Sequence, residues 1–342
     1  MTQQTRTQEP PAPVGERETR APLRERLVPR QRHVPVLATL ALLLVMYGAG
    51  LVQYEGFSDT QVLLNIFIDN AFLLVVAVGM TFVILTGGID LSVGAAVALT
   101  TMIVAELLAN GWSPAIVLPL VLVLGTLFGS GMGAIIHFFD IEPFIVTLAG
   151  MFLCRGLCYV IATEAIPIRD PFWDDVASYR LRFGGFHISL SVLVAVVVVL
   201  VAAYVLAYTR FGRSVYALGG SQQSALLMGL AVGRTKVGVY AVSGFCSALG
   251  GLLLSFYMLS GYGQHAQGME LDAIAAVVIG GTVLTGGSGF VFGTVLGVLV
   301  LGLIQTLITF QGTLSSWWTK IFIGALLFAF IVLQRAVGRR AT

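Results

Sequence analysis

Long apolar stretches alternate with short polar connections along most of the chain. About 20 predominantly apolar residues cross a bilayer as a helix, and ten stretches meet or approach that length. They lie at about 34–52, 62–85, 91–109, 113–137, 142–163, 187–208, 237–258, 271–286, 289–310 and 316–334. Several of them are short or interrupted by glycine. The pattern predicts an all-α polytopic membrane protein with about ten transmembrane helices and glycine-broken segments.

The two ends of the chain differ from this pattern. Residues 1–33 are rich in proline, glutamine and arginine, and they contain too few apolar residues to form a core, so we expect a disordered arm. Residues 34–335 are expected to form one transmembrane domain, and residues 336–342 a short tail. The first apolar stretch lacks a small-residue cleavage site, which favours a signal anchor over a removed signal peptide.

The distribution of positive charge predicts the side of the membrane on which each connection lies, because cytoplasmic loops are enriched in lysine and arginine. With ten alternating spans, the connection 209–236 falls on the cytoplasmic side, and it contains four basic residues and no acidic one. The arginine-rich arm and the basic C-terminal end fall on the same side. Both termini are therefore expected in the cytoplasm.

The composition agrees with a membrane protein. Hydrophobic residues make up 57% of the chain and charged residues 11%, with a mean hydropathy of +0.92, whereas soluble domains carry about 25% charged residues. The 40 glycines are typical of helices that pack closely in lipid. Nothing in the composition indicates nucleic-acid binding. The three cysteines lie inside apolar stretches and have neither a metal-ligand nor a redox spacing.

A polar, glycine-rich stretch at residues 86–94 interrupts the apolar pattern and places Asp90 between two spans. A carboxylate at membrane depth costs at least about 2.5 kcal/mol, so it normally faces protein, water or substrate. One interpretation is a helix break beside a translocation pathway. The other is a tight turn in which Asp90 and Ser92 cap the following helix. The two interpretations are compatible.

A glycine-broken string occurs twice. Residues 84–88, ILTGG, recur at residues 283–287 as VLTGG, each time between two apolar stretches. Paired interrupted segments in the two halves of a chain are typical of transporter substrate sites, although five residues also match by chance, so an internal repeat and a coincidence are both open. Close helix contacts are predicted separately by two sets of glycines four residues apart: Gly125, Gly129 and Gly133, and Gly289, Gly293 and Gly297.

Several catalytic patterns are absent from the sequence. No phosphate-binding loop of the form G-x-x-x-x-G-K-[ST] is present, and neither lysine, Lys236 nor Lys320, follows a glycine. Metalloprotease and nucleophile-elbow motifs are also absent. The sequence therefore predicts a protein that is not an enzyme and does not bind ATP by that route. Asp90 with Arg155 leaves a transporter driven by a proton or sodium gradient as an alternative.

The connection 209–236 contains the signals of a short helix. Ser221 is a residue type that caps helices and Gly229 one that ends them, which predicts a helix of about nine residues. Four apolar residues lie in this otherwise basic segment: Ala225, Leu226, Leu227 and Met228. Docking to a soluble partner is one interpretation. An amphipathic helix lying on the membrane surface is the other.

Four strings resemble the ribose-type branch of bacterial ABC importer permeases: FVILTGGIDLSVGA, PFIVTLAGMFLCRG, TRFGRSVYALGGSQQSALLMGL and ELDAIAAVVIGGTVLTGGSG. Over about residues 57–335 the chain is similar, more narrowly, to the galactofuranose-type permeases, on the strings DNAFLLVVAVGMTFVIL and GTLSSWWTKI. The arm, residues 1–33, departs from that pattern. The resemblance implies a multi-pass permease of a bacterial inner (cytoplasmic) membrane that imports a monosaccharide, galactofuranose by the narrower similarity.

The resemblance also implies the partners of the chain. Such a permease pairs with a second permease subunit, identical or paralogous, with a cytoplasmic ABC ATPase and with a periplasmic sugar-binding protein. ATP is bound by the ATPase, so no cofactor is expected in this chain. A short cytoplasmic helix of these permeases sits in a cleft of the ATPase. By the resemblance, eight residues belong to this coupling segment: Arg213, Gly219, Gly220, Ser221, Ala225, Leu226, Met228 and Gly229.

Candidates for the sugar pathway are five polar residues in or near the spans: Asn70, Thr86, Asp90, Ser92 and Arg155. The first four either bond to sugar hydroxyls or hold the broken backbone, and their spacing does not separate these roles. Arg155 has the same alternatives. Its structural role would be a bond to a carboxylate or to helix-end carbonyls, because an isolated buried arginine is costly.

Overall fold

The computed structural model describes residues 34–315 and 317–339, and this part of the chain is mostly helical. The predicted arm, residues 1–33, and residues 340–342 of the predicted tail lie outside the described residues. The described part contains thirteen helices and four short strands. The all-α class predicted from the apolar pattern is confirmed.

The helices, in chain order, are α1 Val34–Gln53, α2 Thr60–Leu85, α3 Val93–Ala109, α4 Pro114–Phe138, α5 Pro143–Ile161, α6 Pro171–Ser178, α7 Leu190–Tyr208, α8 Arg210–Gly220, α9 Gln222–Leu227, α10 Val232–Met258, α11 Met269–Ile279, α12 Val291–Gln311 and α13 Trp317–Arg339. The strands are β1 Ile166–Pro167, β2 Arg180–Phe183, β3 Phe186–Ser189 and β4 Ser260–Gly261. They form two antiparallel pairs, β1 with β4 and β2 with β3.

Seven helices are long and apolar enough to cross a membrane, by length and composition, in the described part of the chain: α1, α2, α4, α5, α7, α10 and α12. Two further apolar stretches, α3 and residues 317–332 of α13, are shorter. The prediction of a full span at 271–286 is wrong. Helix α11 ends at Ile279, so it covers only about 16 Å of a hydrocarbon core about 30 Å thick.

Glycine explains why α11 is short. The chain turns at Gly280 and Gly281, and the φ of +93° at Gly281 is one that other residues rarely adopt. The connection then turns again at residues 284–287 before α12 begins. Near the C-terminus, α13 continues to Arg339, past the predicted end of the transmembrane domain at residue 335.

Three of the spanning helices, α2, α10 and α12, are mostly buried and form the centre of the molecule, whereas few residues of α1, α4, α5 and α7 are buried and these helices surround it. Both predicted glycine sets make close helix contacts. A Cβ added to Gly129 of α4 would meet the carbonyl oxygen of Tyr240 in α10, and one added to Gly297 of α12 would meet the carbonyl oxygen of Ala276 in α11. Small residues therefore allow these helix backbones to touch.

The connection between α5 and α7 is folded, which the sequence pattern did not predict. It contains β1, the short helix α6 and the hairpin of β2 and β3. The Trp173 side chain of α6 is fully buried, and its Nε1–H donates to the hydroxyl of Ser255 in α10 at 3.1 Å. Together with the pairing of β1 and β4, this tryptophan holds the connection against the end of α10.

Candidate functional site

The stretch 86–94 is a tight turn between α2 and α3. Asp90 is buried at its centre, where its Oδ1 accepts hydrogen bonds from the backbone N–H of Ser92 at 3.0 Å and from the Ser92 hydroxyl at 2.6 Å. Its Oδ2 accepts from the hydroxyl of Ser243 in α10 at 2.7 Å. The hydroxyl of Thr86 donates to the carbonyl of Val83 at 2.8 Å. These bonds fix the turn against α10.

The turn corrects one detail of the capping prediction. The Ser92 side chain caps no backbone N–H of α3, since its hydroxyl donates to Asp90 instead. The Asp90 carboxylate, by accepting from the Ser92 N–H, supplies the bond at the entrance of the helix.

Replacing Asp90 is a direct test of this arrangement. Asp90→Leu leaves the Ser92 and Ser243 donors without an acceptor, at an expected cost of about 1–3 kcal/mol for each buried donor. Asp90→Asn keeps an acceptor for Ser92, and the Ser243 hydroxyl can accept from the amide, so its melting temperature stays close to wild type. Thermal unfolding of the purified chain measures both variants. Equal melting temperatures for Asp90→Leu and wild type would contradict a structural role for this carboxylate.

Arg155 reaches across from α5 to the segment that precedes α11. Its guanidinium donates to the backbone carbonyls of Gly263 at 2.7 Å, His265 at 2.8 Å and Ala266 at 3.2 Å. Three carbonyl acceptors bind the half-buried guanidinium, and carbonyl oxygens can take the place of an acidic partner for these donors. The geometry matches the structural alternative for Arg155, with loop carbonyls in place of helix-end carbonyls.

A cavity of about 1040 Å³ with a mixed polar and apolar lining lies between α2, α11, α12 and α13, beside the end of α10, and we call it the polar cavity after its polar residues. Its polar lining includes Asn65, Asp69, Asp272, Gln305, Thr309 and Lys320, and its aromatic lining Phe72, Tyr257, Phe310 and Trp317. Asn70 also lines it, although the Asn70 amide is buried and donates to the carbonyl of Ile66 at 2.9 Å. The other four pathway candidates do not line this cavity.

The two copies of the repeated string meet in space. The backbone N–H of Gly287 donates to the carbonyl of Leu85 at 2.9 Å, and a Cβ added to Gly87 would lie 3.2 Å from the carbonyl oxygen of Thr285. Gly87, Gly286 and Gly287 all have positive φ angles, of +79°, +86° and +74°. Only glycine allows both turns to take this shape at such close approach.

The end of α8 packs onto both turns. A Cβ added to Gly219 would overlap the carbonyl oxygen of Leu85 and the backbone nitrogen of Gly287, while one added to Gly220 would have no neighbour within 4 Å. The hydroxyl of Tyr216 donates to the carbonyl of Gly289 at 2.9 Å. We call the contact between Gly219, Leu85 and Gly287 the glycine junction.

Helix α9 follows the glycine junction. Ser221 caps it, because its hydroxyl oxygen accepts from the N–H of Ser224 at 3.2 Å, and Gly229 follows with a φ of +73°. The cap is confirmed, but the helix has six residues rather than about nine. Three consecutive apolar side chains at its end are exposed, by 55%, 84% and 66%: Leu226, Leu227 and Met228. We call these three residues the apolar tip.

Ala225 does not belong to this surface, which corrects the prediction that it lies with the exposed apolar residues. It is fully buried in a small cluster with Leu218 and Val232. Arg213 of α8 is exposed, and its guanidinium lies 3.5 Å from the carbonyl of Tyr208. The sequence missed α8 itself, although Thr209 carries a cap signal whose hydroxyl oxygen accepts from the Gly212 N–H at 3.1 Å.

The burial of Ala225 leads to a prediction. Ala225→Asp places a carboxylate without a partner in the cluster, at an expected cost of roughly 2 kcal/mol or more. The segment 209–231 is then expected to become sensitive to limited proteolysis of the purified chain. Gln223→Asp, on the exposed side of the same helix, is the matched control and should resist like wild type. Equal resistance of both variants would contradict the burial.

Residues 62–331 match the family described as branched-chain amino acid transport system, permease component. The chain belongs to this family. It is 48% identical, over 90% of its length and 93% of the relative, to the inner membrane ABC transporter permease protein YjfF of Escherichia coli. It is 39% identical to the fructose import permease protein FruG of Bifidobacterium longum, over 89% and 91% of the two chains.

A third relative is the ribose import permease protein RbsC of Haemophilus influenzae, 38% identical over 82% of this chain and 87% of the relative. No solved structure matches the chain. The resemblance to ribose-type permeases is confirmed, and this member of the permease family is a multi-pass transport subunit rather than an enzyme.

Proposed function

We propose that this chain is the transmembrane permease subunit of an ABC importer that carries a monosaccharide, galactofuranose, into the cytoplasm. The observation that carries the proposal is the exposed apolar tip of α9, which is linked through the glycine junction to the ends of the central helices. An exposed apolar surface joined in this way to the transmembrane core is what an external motor requires. The fructose and ribose permeases among the relatives support a sugar as the cargo.

The partners follow from this role. A cytoplasmic ABC ATPase binds ATP and receives the apolar tip, with Arg213, Ser221 and Gly229 shaping the docking segment. A second permease subunit completes the pathway, and a periplasmic sugar-binding protein delivers the sugar. The four basic residues of segment 209–236 support a cytoplasmic position for the tip, and we propose the same side of the inner membrane for both termini.

The glycine junction explains how motion of the ATPase reaches the sugar. Gly219 touches the last residue of α2 and the turn that leads to α12. The polar cavity lies at the other end of the same helices, since Asp69 precedes Leu85 by 16 residues, or about 24 Å of helix. A shift of α8 therefore moves both walls of the cavity without covalent chemistry in this chain. Thr86, Asp90, Ser92 and Arg155 hold the backbone during this motion.

Uptake of labelled sugars tests the function. The chain is co-purified with its ATPase and second permease, reconstituted into proteoliposomes, and supplied with the binding protein outside and ATP inside. Galactofuranose is expected to accumulate in preference to ribose and fructose. Preferential accumulation of ribose or fructose would retain the importer and overturn galactofuranose as its cargo. Absence of uptake for all three sugars would contradict the proposed function.

A further inference from the structure

We infer that the polar cavity between α2, α11, α12 and α13 is the site where the uncharged sugar contacts this chain during transport. The inference rests on the proposed function and names the part of the chain that handles the cargo. The cavity is slightly larger than the roughly 300–1,000 Å³ of ordinary ligand pockets, so it holds a hydrated monosaccharide without a tight fit. An importer that must also release its cargo needs such a weak site.

The depth of two polar residues is the first argument. Asp69 lies nine residues after the start of α2, or about 13 Å along the helix, and its side chain is exposed. Gln305 lies six residues before the end of α12 and is also exposed. A carboxylate at this depth costs at least about 2.5 kcal/mol if it meets lipid. The cavity that these two side chains line is therefore filled by water or a polar cargo.

The chemistry of the polar lining is the second argument. Asn65 and Asp69 are one turn apart on α2, and Gln305 and Thr309 are one turn apart on α12. Tyr257 donates to Oδ1 of Asp69 at 3.2 Å, which leaves Oδ2 without a partner among the described residues. Amide and carboxylate groups both bind hydroxyls, since sugar hydroxyls donate and accept in one ring.

Aromatic side chains supply the apolar half of the site. Tyr257 and Trp317 are exposed by 52% and 76%, and both line the cavity with Phe310. The C–H faces of a sugar ring are apolar and pack on flat aromatic surfaces, helped by weak C–H contacts. Polar groups on two helices and aromatic rings at the same cavity are the combination that a polyhydroxylated ring requires.

The charged residues that line the cavity favour a neutral sugar over an amino acid as the cargo. Lys320 is the only cation among the described residues that line it, and its Nζ donates to both carboxylate oxygens of Asp272, at 2.9 and 2.7 Å. An amino acid brings a carboxylate that needs a free cationic partner, and this lining offers none. A neutral sugar needs no such partner. The site therefore favours a sugar over the amino acids in the family description.

Cysteine labelling tests the water-filled cavity. Asp69→Cys is compared with Leu200→Cys, which lies at similar depth on the exposed apolar surface of α7. The three native cysteines are buried, so the background is low. In the assembled complex, a membrane-impermeant thiol reagent is expected to label Asp69→Cys and not Leu200→Cys, because the reactive thiolate forms only in water. Equal labelling of the two positions, or none at Asp69→Cys, would overturn the inference.

Transport by cavity variants tests contact with the sugar. Gln305→Leu and Trp317→Ala are expected to lower uptake of the transported sugar by roughly tenfold, while ATP hydrolysis stimulated by the sugar-loaded binding protein changes less than twofold. Trp317→Phe retains a flat ring and should keep most of the uptake. The controls Gln53→Leu and Trp112→Ala are exposed residues outside the cavity and should behave like wild type.

The outcomes separate the two proposals. Uptake that is unchanged, or that falls in parallel with ATP hydrolysis, would overturn the cavity as the sugar site while the importer stands. The proposed function, and the cavity with it, would be overturned if the wild-type complex took up galactofuranose, ribose and fructose without needing ATP. It would also be overturned if the complex took up none of the three sugars.

Discussion

Changing Leu226 or Met228 to Asp is expected to abolish uptake while the permease stays folded. Both side chains are more than half exposed at the apolar tip, so a charge there meets water rather than a buried core. Hot-spot residues of an interface cost about 2 kcal/mol or more when they are lost, so a carboxylate at the tip should weaken ATPase binding by roughly 30-fold. Co-purification of the ATPase with the tagged permease measures the loss directly, and uptake follows it.

The matched control is Gln223→Asp, which adds the same charge on the same helix away from the apolar tip. It should bind the ATPase and transport like wild type. A membrane-surface helix predicts a different pattern, in which Leu226→Asp lowers the amount of folded permease in the membrane. Normal ATPase binding by Leu226→Asp and Met228→Asp would contradict the docking role of the tip.

Gly219→Ala is expected to uncouple the permease, whereas Gly220→Ala should be silent. The added methyl group overlaps the Leu85 carbonyl and the Gly287 nitrogen, both of which are backbone atoms that cannot turn aside. Overpacking of this kind costs about 1–3 kcal/mol, and we expect about a tenfold fall in uptake, the factor that corresponds to 1.4 kcal/mol. The neighbouring Gly220 has open space around its α-carbon.

Both glycine variants are compared for uptake, ATPase binding and thermal stability in the same preparation. Because the apolar tip is untouched, Gly219→Ala should still bind the ATPase, and its ATP hydrolysis should continue without proportionate sugar uptake. If the two variants transport equally well, the glycine junction does not transmit motion. The pair is informative because it places the same substitution on adjacent residues.

Local signals in the sequence predicted much of the fold. The length of the apolar stretches is enough to locate the seven spanning helices. The glycine sets around Gly129 and Gly293 correctly indicate close helix contacts. Ser221 and Gly229 marked the two ends of α9. Each of these features depends on residues within one or two turns of each other, which is why the pattern of the chain contains them.

Features that depend on distant contacts were not predictable. The partners of Arg155 lie more than 100 residues away in the chain, and those of Trp173 about 80. Gln305 lies in a predominantly apolar stretch, so only the packing of α2, α12 and α13 identifies it as part of a cavity. The burial of Ala225 is not visible in the sequence, because a six-residue helix shows too little periodicity to separate its buried side from its exposed one.

Transport by an ATP-driven importer and transport by an ion-gradient carrier are distinguished by the energy source that uptake requires. Labelled galactofuranose uptake is compared between proteoliposomes holding the complete complex with ATP and proteoliposomes holding this chain alone under a proton or sodium gradient. We expect uptake only with the complete complex and ATP, and we expect it to be lost when ATP is omitted or when Leu226→Asp replaces wild type. Uptake by the chain alone, driven by either gradient without ATP, would contradict this expectation.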